Sequence, residues 1–261
     1  MSLLLALGLS LAIALSGWAG RALTRSGAIA GTLLGTMILW RAGWAGMAAL
    51  GAFFVGSSLI SRLAPDQSVA RLDAKGSTRD AWQVLANGGA AALGASILPD
   101  ADAALWVITA SLAAAAADTW ATSCGGWSRT DPRHILTWAS VPPGISGGIT
   151  LLGTAGALAG AATVGAAAAF TAQRSMLFPV ALGVGMLGMT MDSIAGAAWQ
   201  GRFRCPTCDQ ATERRVHRCG TRSTPVGGLR WLDNDGVNGL ATGLAAVVGY
   251  GVWLWAMSYE L

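Results

Sequence analysis

Acids, amides and hydroxyls are scarce in this chain, and the ones that matter come in short clusters. Asp118-Thr119-Trp120-Ala121-Thr122-Ser123 is one, Asp192-Ser193 a second, and Asn234-Asp235 with Asn238 a third. Gln83 and Asn87 lie one helical turn apart, on one face, as do Asp118 and Thr122; Asp235 and Asn238 are three apart and also share a face. Asp118, Asp192 and Asp235 offer the hard oxygen ligands that Mg²⁺ takes, usually one or two carboxylates plus substrate phosphates. Arg25 (with Ser26 and Gly27 beside it), Arg79 and Arg133 offer forked donors for phosphate oxygens. Ser146-Gly147-Gly148, read as opening a helix, can present backbone N–H groups to an anion. Together these residues describe a polyphosphate site, with Asp118 and Asp192 on Mg²⁺ and with Asp235, Asn234 and Asn238 completing the metal or nucleotide site. Each acid taken alone has a second reading, an ion pair with an arginine that ties helices together. Neither a Walker phosphate loop nor a kinase glycine loop with its lysine occurs.

A second cluster is of a different kind. Cys205-Pro206-Thr207-Cys208 is followed by His217-Arg218-Cys219-Gly220, a spacing that suits a tetrahedral Cys₃His zinc site of structural type. Free thiols and a redox role are the alternatives. Cys124 and His134 stand apart from both clusters and read as a buried small residue and a loop residue.

The elements that must carry these residues are membrane helices. Of 261 residues, 53% are hydrophobic and only 11% charged, against about 25% charged in soluble domains. The 36 glycines fit the same class, because small residues let membrane helices approach closely. The pattern predicts an all-α polytopic bundle of about eight spans, near 2–18, 26–40, 44–60, 82–98, 104–122, 146–168, 176–198 and 237–257. The first reads as a membrane helix and not a signal peptide, since no basic region precedes it and further spans follow. The chain is expected to be one membrane domain, 1–261, with a loop insert at 199–236 that carries the Cys/His cluster.

Cations prefer cytoplasmic loops. With eight spans, fifteen of the Lys and Arg residues fall on one side, among them Arg62, Arg71, Lys75 and Arg79, and only Arg41 and Arg174 on the other. Both termini are therefore expected outside, and the acid, amide and hydroxyl clusters fall on the cation-rich, cytoplasmic face. Loop cations account for the net charge of +4, so it is no nucleic-acid footprint. The preference for arginine over lysine and the short loops fit a GC-rich prokaryote, and with it a plasma-membrane location.

Thr24-Arg25-Ser26-Gly27-Ala28, Gln83 to Gly88, Ala117-Asp118-Thr119-Trp120-Ala121-Thr122, Pro132-Arg133, Ser146-Gly147-Gly148, Asp192-Ser193 and Asn234-Asp235 with Val237-Asn238 occur in that order. The series resembles the transmembrane protein 19 family, which includes the plant phytyl-phosphate kinase of vitamin E synthesis and is distantly similar to CTP-dependent polyprenol kinases. The resemblance covers nearly the whole chain. It implies transfer of a γ-phosphoryl group from a nucleoside triphosphate, CTP before ATP, to an isoprenyl monophosphate such as the phytyl, farnesyl or geranylgeranyl ester, with Mg²⁺. The family pattern places a glutamate after Ala-Asp-Thr-Trp-Ala-Thr, where this chain has Ser123. A transporter or lipid carrier, and a non-catalytic family member, are the rival readings. The one-sided placement of the polar residues speaks against the transporter, whose site belongs near the midplane.

Overall fold

The computed structural model describes residues 1–64 and 78–259. Arg71, Lys75 and Gly76 lie outside the described residues. Among the described residues seven helices run in chain order: α1 (Leu3–Ala19), α2 (Arg25–Leu63), α3 (Ala81–Ile97), α4 (Ala101–Gly125), α5 (Leu151–Ala172), α6 (Leu177–Ala198) and α7 (Asn234–Met257). Between α4 and α5, β1 (Arg133–His134) pairs antiparallel with β2 (Gly148–Ile149). Between α6 and α7, β3 (Arg202–Arg204), β4 (Ala211–Thr212) and β5 (Thr224–Gly227) form a three-stranded antiparallel sheet with β3 in the middle.

The architecture is a polytopic helical bundle, but the expected count of about eight spans is corrected to five. Among the described residues, only α2, α4, α5, α6 and α7 are long and apolar enough to cross a membrane. The two helices that miss are α1 and α3, each of 17 residues. The expected spans 26–40 and 44–60 come as one 39-residue element, α2, interrupted only at Gly43, where the backbone turns to φ 58° and ψ −145°. Its two arms pack side by side, since a Cβ on Gly35 would lie 3.7 Å from the Leu50 side chain. The alternation that placed both termini outside rested on eight spans and does not follow from five. A second correction concerns the start of α5. Thr150 caps that helix, its hydroxyl accepting from Gly153 N at 2.9 Å, so Ser146-Gly147-Gly148 precede the helix in a turn where Gly147 has φ 82°.

α4 is the centre. Its residues from Ala103 to Ala117 are all buried, and it packs against α2, α3, α5, α6 and α7. An apolar surface all round is what a helix enclosed by others requires. Alanine faces glycine across these contacts, and a Cβ on Gly160 of α5 would stand 2.7 Å from the Ala116 carbonyl oxygen. Gly160→Val is therefore expected to push α5 off α4 and destabilise the bundle by about 1–3 kcal/mol. A lowered thermal midpoint of the detergent-solubilised protein checks this, and an unchanged midpoint would refute the close contact.

Several polar residues at helix ends serve as caps. Asp80 and Gln83 form a capping box on α3: Asp80 Oδ1 accepts from Gln83 N at 2.9 Å, and Gln83 Oε1 accepts from Asp80 N at 3.1 Å. Asp233 caps α7 by accepting from Gly236 N. The two cations at the opposite end are structural. Arg41 donates to the carbonyls of Ala95 in the last turn of α3 and of Pro99 just beyond it, and Arg174 pairs with Asp102 at 3.1 Å.

Candidate functional site

At one end of the bundle the helix ends enclose a cavity of about 610 Å³. The last turns of α4 supply Asp118, Thr122 and Ser123, α6 supplies Asp192 and Ser193, and the first two turns of α7 supply Asn234 and Asn238. α3 adds Gln83 and Asn87, with Arg79 just ahead of it. The turn Ser146-Gly147-Gly148 forms another wall.

Asn238 is the hub. It is 8% exposed, and with its amide nitrogen turned to the carboxylates it donates to Asp118 Oδ2 at 3.3 Å and Asp192 Oδ2 at 3.0 Å, while its oxygen accepts from Asn234 Nδ2 at 3.1 Å. The two carboxyls are also within hydrogen-bonding reach of each other. Two acids so placed need a proton or a cation between them, because like charges at that distance oppose joint ionisation. With the amide turned the other way, the Asn238 oxygen joins the two carboxylates as a third hard donor, the ligand chemistry that Mg²⁺ accepts. The donor set therefore fits such an ion. α7 is held over the site by Thr242, which donates to the Ala86 carbonyl of α3 at 2.8 Å.

Arg79 reaches the cavity from the segment between α2 and α3. Its backbone bridges to Leu23, its Nη1 donates to Ser58 Oγ at 2.9 Å, and its guanidinium lies 5.7 Å from the Phe53 ring centre and 5.9 Å from that of Phe54. Burial pulls its pKa down to about 10, which leaves it charged at neutral pH. Asn87, also 8% exposed, donates to the Gln83 carbonyl at 2.9 Å. Gln200, 3% exposed, lines the cavity with an amide nitrogen that has no hydrogen-bond partner among the described residues.

Four sequence-chosen residues do not line this cavity. Arg25 stacks over Trp18 at 6.0 Å, and Ser26 bonds Thr24 at 3.0 Å and accepts from Ala81 N at 3.4 Å, so both belong to the start of α2. Arg133 donates to the Trp138 carbonyl at 3.2 Å on the exposed β1 strand. Asp235 is in the first turn of α7 but outside the lining, unlike its neighbours Asn234 and Asn238. Their places are taken by residues that spacing did not flag. Arg62 lines the cavity from the end of α2, and Glu213, Arg214 and Arg218 line it from the loop between α6 and α7. Glu213 accepts a hydrogen bond from Ser146 Oγ. Ser123 is 4% exposed and lies 3.3 Å from Ser61 Oγ, which also borders the cavity.

That loop holds the second cluster. Cys205, Cys208, His217 and Cys219 bring their ligand atoms within 4.8 Å of one another. Two turns present them: Cys205 N donates to Gln210 O, and His217 N to Thr221 O, each at 2.9 Å. The Sγ atoms of Cys205 and Cys219 are 3.6 Å apart, too far for a disulfide and close to the edge of roughly 3.8 Å that follows from a tetrahedron with ~2.3 Å metal–sulfur bonds. Hydrogen bonds from Thr221 and His217 pull the Cys219 thiol down to about 5, favouring the thiolate a metal needs, whereas Cys208, sharing a hydrogen bond with Cys219, is pushed up to about 11. The cluster is able to hold a metal ion.

Comparison with known proteins agrees with this picture of a membrane bundle. The chain is 30% identical to Protein PGR of Arabidopsis thaliana over 267 residues, covering 90% of this chain and 91% of that protein. It is 29% identical to an uncharacterised membrane protein of Methanocaldococcus jannaschii over 189 residues, 69% of this chain and 76% of that one. No solved structure shows a significant match. The family described as integral membrane protein DUF92 matches residues 8–246, and the chain belongs to that family.

Proposed function

We propose that the polar cavity is a phosphoryl-transfer site that takes a nucleoside triphosphate, CTP by preference, and an isoprenyl monophosphate, and yields the isoprenyl diphosphate. The observation that supports this best is the meeting of Asp118, Asp192 and Asn238 with the cations Arg62, Arg79, Arg214 and Arg218 in one cavity at the end of an apolar bundle. Mg²⁺, held by Asp118 and Asp192, would neutralise charge on the donor phosphates. Arg79 would hold the acceptor phosphate beside the apolar helices, and the loop arginines would hold the donor. An oxygen of the acceptor phosphate attacks the γ-phosphorus, the bond to the bridging oxygen breaks, and the nucleoside diphosphate leaves with the electron pair. The acceptor is already anionic, so alignment and charge neutralisation carry the reaction and no strong general base is required. Placement of this face toward the cytosol, at a prokaryotic plasma membrane, is part of the same proposal and rests on the cations gathered there. Zinc at the Cys/His cluster is given a structural role, since four protein ligands leave no open position.

The test is incubation of the purified, detergent-solubilised chain with Mg²⁺, phytyl, farnesyl or geranylgeranyl monophosphate, and each nucleoside triphosphate in turn. Diphosphate product that depends on CTP and Mg²⁺ is the expected result. Absence of product with every donor and acceptor, from folded protein, would end the kinase reading. Two observations favour a second reading, a lipid carrier or non-catalytic family member: Asn238 links Asp118 and Asp192 across three helices, as a helix-tying contact would, and Ser123 stands where the resemblance expects an acid.

A further inference from the structure

A second cavity, of about 200 Å³, lies between α1, the two arms of α2 and α3. Its walls are almost wholly apolar, with Ile13 from α1, Leu34 and Leu50 from the two arms, and Phe53 and Phe54 toward one end. That end is formed by Arg79, Gln83 and Asn87, and the same three residues line the polar cavity. The two spaces thus share a wall, and the Arg79 cation stands at their junction against the rings of Phe53 and Phe54. An apolar slot that ends at a charged guanidinium, with a large polar chamber beyond it, is complementary to an amphiphile with an anionic head. The slot has about a third of the polar chamber's volume, 200 Å³ against 610 Å³, which suits one apolar chain.

We infer that this slot holds the apolar tail of a single-chain lipid phosphate whose head is bound at Arg79. The inference deepens the phosphotransfer reading by placing the acceptor, although tail binding itself needs no chemistry. Gly51 is the position that gauges the slot. It lines the slot, and a Cβ there would meet no atom within 4 Å, whereas at Gly88 it would stand 3.1 Å from Leu34 and at Gly35 3.0 Å from Ser10. A side chain at 51 therefore starts in open space within the slot, where the tail would lie.

The experiment measures binding of geranylgeranyl monophosphate, isopentenyl monophosphate and inorganic phosphate to the full chain in detergent. The native chain is expected to prefer the long-tailed ester. Gly51→Phe should weaken geranylgeranyl monophosphate by about tenfold or more and leave isopentenyl monophosphate unchanged, and Gly51→Ala should keep the long ester within about twofold of the native chain. Full affinity of Gly51→Phe for the long ester would overturn the assignment, and so would an equal loss of both esters. The two readings fail separately. Tail-dependent binding without diphosphate product from any donor keeps the slot and removes the kinase; product formation that Gly51→Phe does not alter keeps the kinase and removes the slot.

Discussion

Asp192→Asn is expected to abolish cation binding in the polar cavity while leaving the metal-free fold as stable as before, or more so. The two halves of that result have one cause. Without a cation, Asp118 and Asp192 face each other within hydrogen-bonding reach, with Asn238 as their common donor. An amide at 192 removes the like-charge conflict and can itself donate to Asp118, so the empty bundle loses nothing. With Mn²⁺ as a probe for Mg²⁺ at a hundred times its dissociation constant, the native chain gains about 2.7 kcal/mol of stability by linkage, and the variant gains almost none. Phosphotransfer should fall by about 100-fold or more, the scale of losing a group aimed at developing charge. Asp118→Asn should behave alike. If either acid only ties helices together, its variant lowers the thermal midpoint and leaves the Mn²⁺-induced shift intact; that pattern would remove the acid from the site.

What the sequence made legible here was composition at helix ends. Asp118, Asp192, Asn234 and Asn238 stand out because the cost of a carboxylate or amide among apolar residues forces it inward, toward other polar groups. Three helices with such residues at the same end must present them to a common space, and the cavity collects them. Arg25, Ser26 and Arg133 obeyed a weaker rule. Cations and hydroxyls also serve the groups beside them: Arg25 covers the Trp18 ring, Ser26 accepts from Ala81 N, and Arg133 donates to the Trp138 carbonyl. Asp235 was chosen with Asn234 and Asn238 as one cluster, yet only the two asparagines line the cavity.

The span count erred at lengths near the threshold. α1 and α3 stop at 17 residues, and α3 gives part of its length to Gln83, Asn87 and glycines. At Gly43 the positive φ that glycine tolerates turns α2 between its two arms, where the sequence pattern places a tight hairpin at Arg41-Ala42-Gly43. Glu213 was not legible at all. It sits in a polar loop where an acid is unremarkable, and only the fold of that loop sets it against Ser146.

That loop is also where the other large effect is expected. Cys205→Ser should reduce bound zinc from about one per chain to almost none and release the segment between Arg202 and Arg230 to trypsin, while the helices stay folded. The strands are two to four residues long, and only Phe203, Cys205, Thr212 and Ser223 among its residues are well buried. A sheet of that size does not hold itself together, and in small zinc-bound peptides the metal supplies about 10–16 kcal/mol of apparent binding energy. The consequence reaches the cavity, because Glu213, Arg214 and Arg218 line it from the same segment, and Arg218 lies between His217 and Cys219. Phosphotransfer should therefore drop in Cys205→Ser although the Mn²⁺-induced stabilisation through Asp118 and Asp192 persists. Native chain prepared with zinc present but carrying none, or a tryptic pattern that the substitution does not change, would refute the metal clamp. Loss of zinc with undiminished transfer would keep the clamp and show that the loop closes no wall the reaction needs. The separation of the two readouts follows from the architecture: the carboxylates stand on buried helices, and the loop cations on a segment whose sheet is too small to stand without its metal.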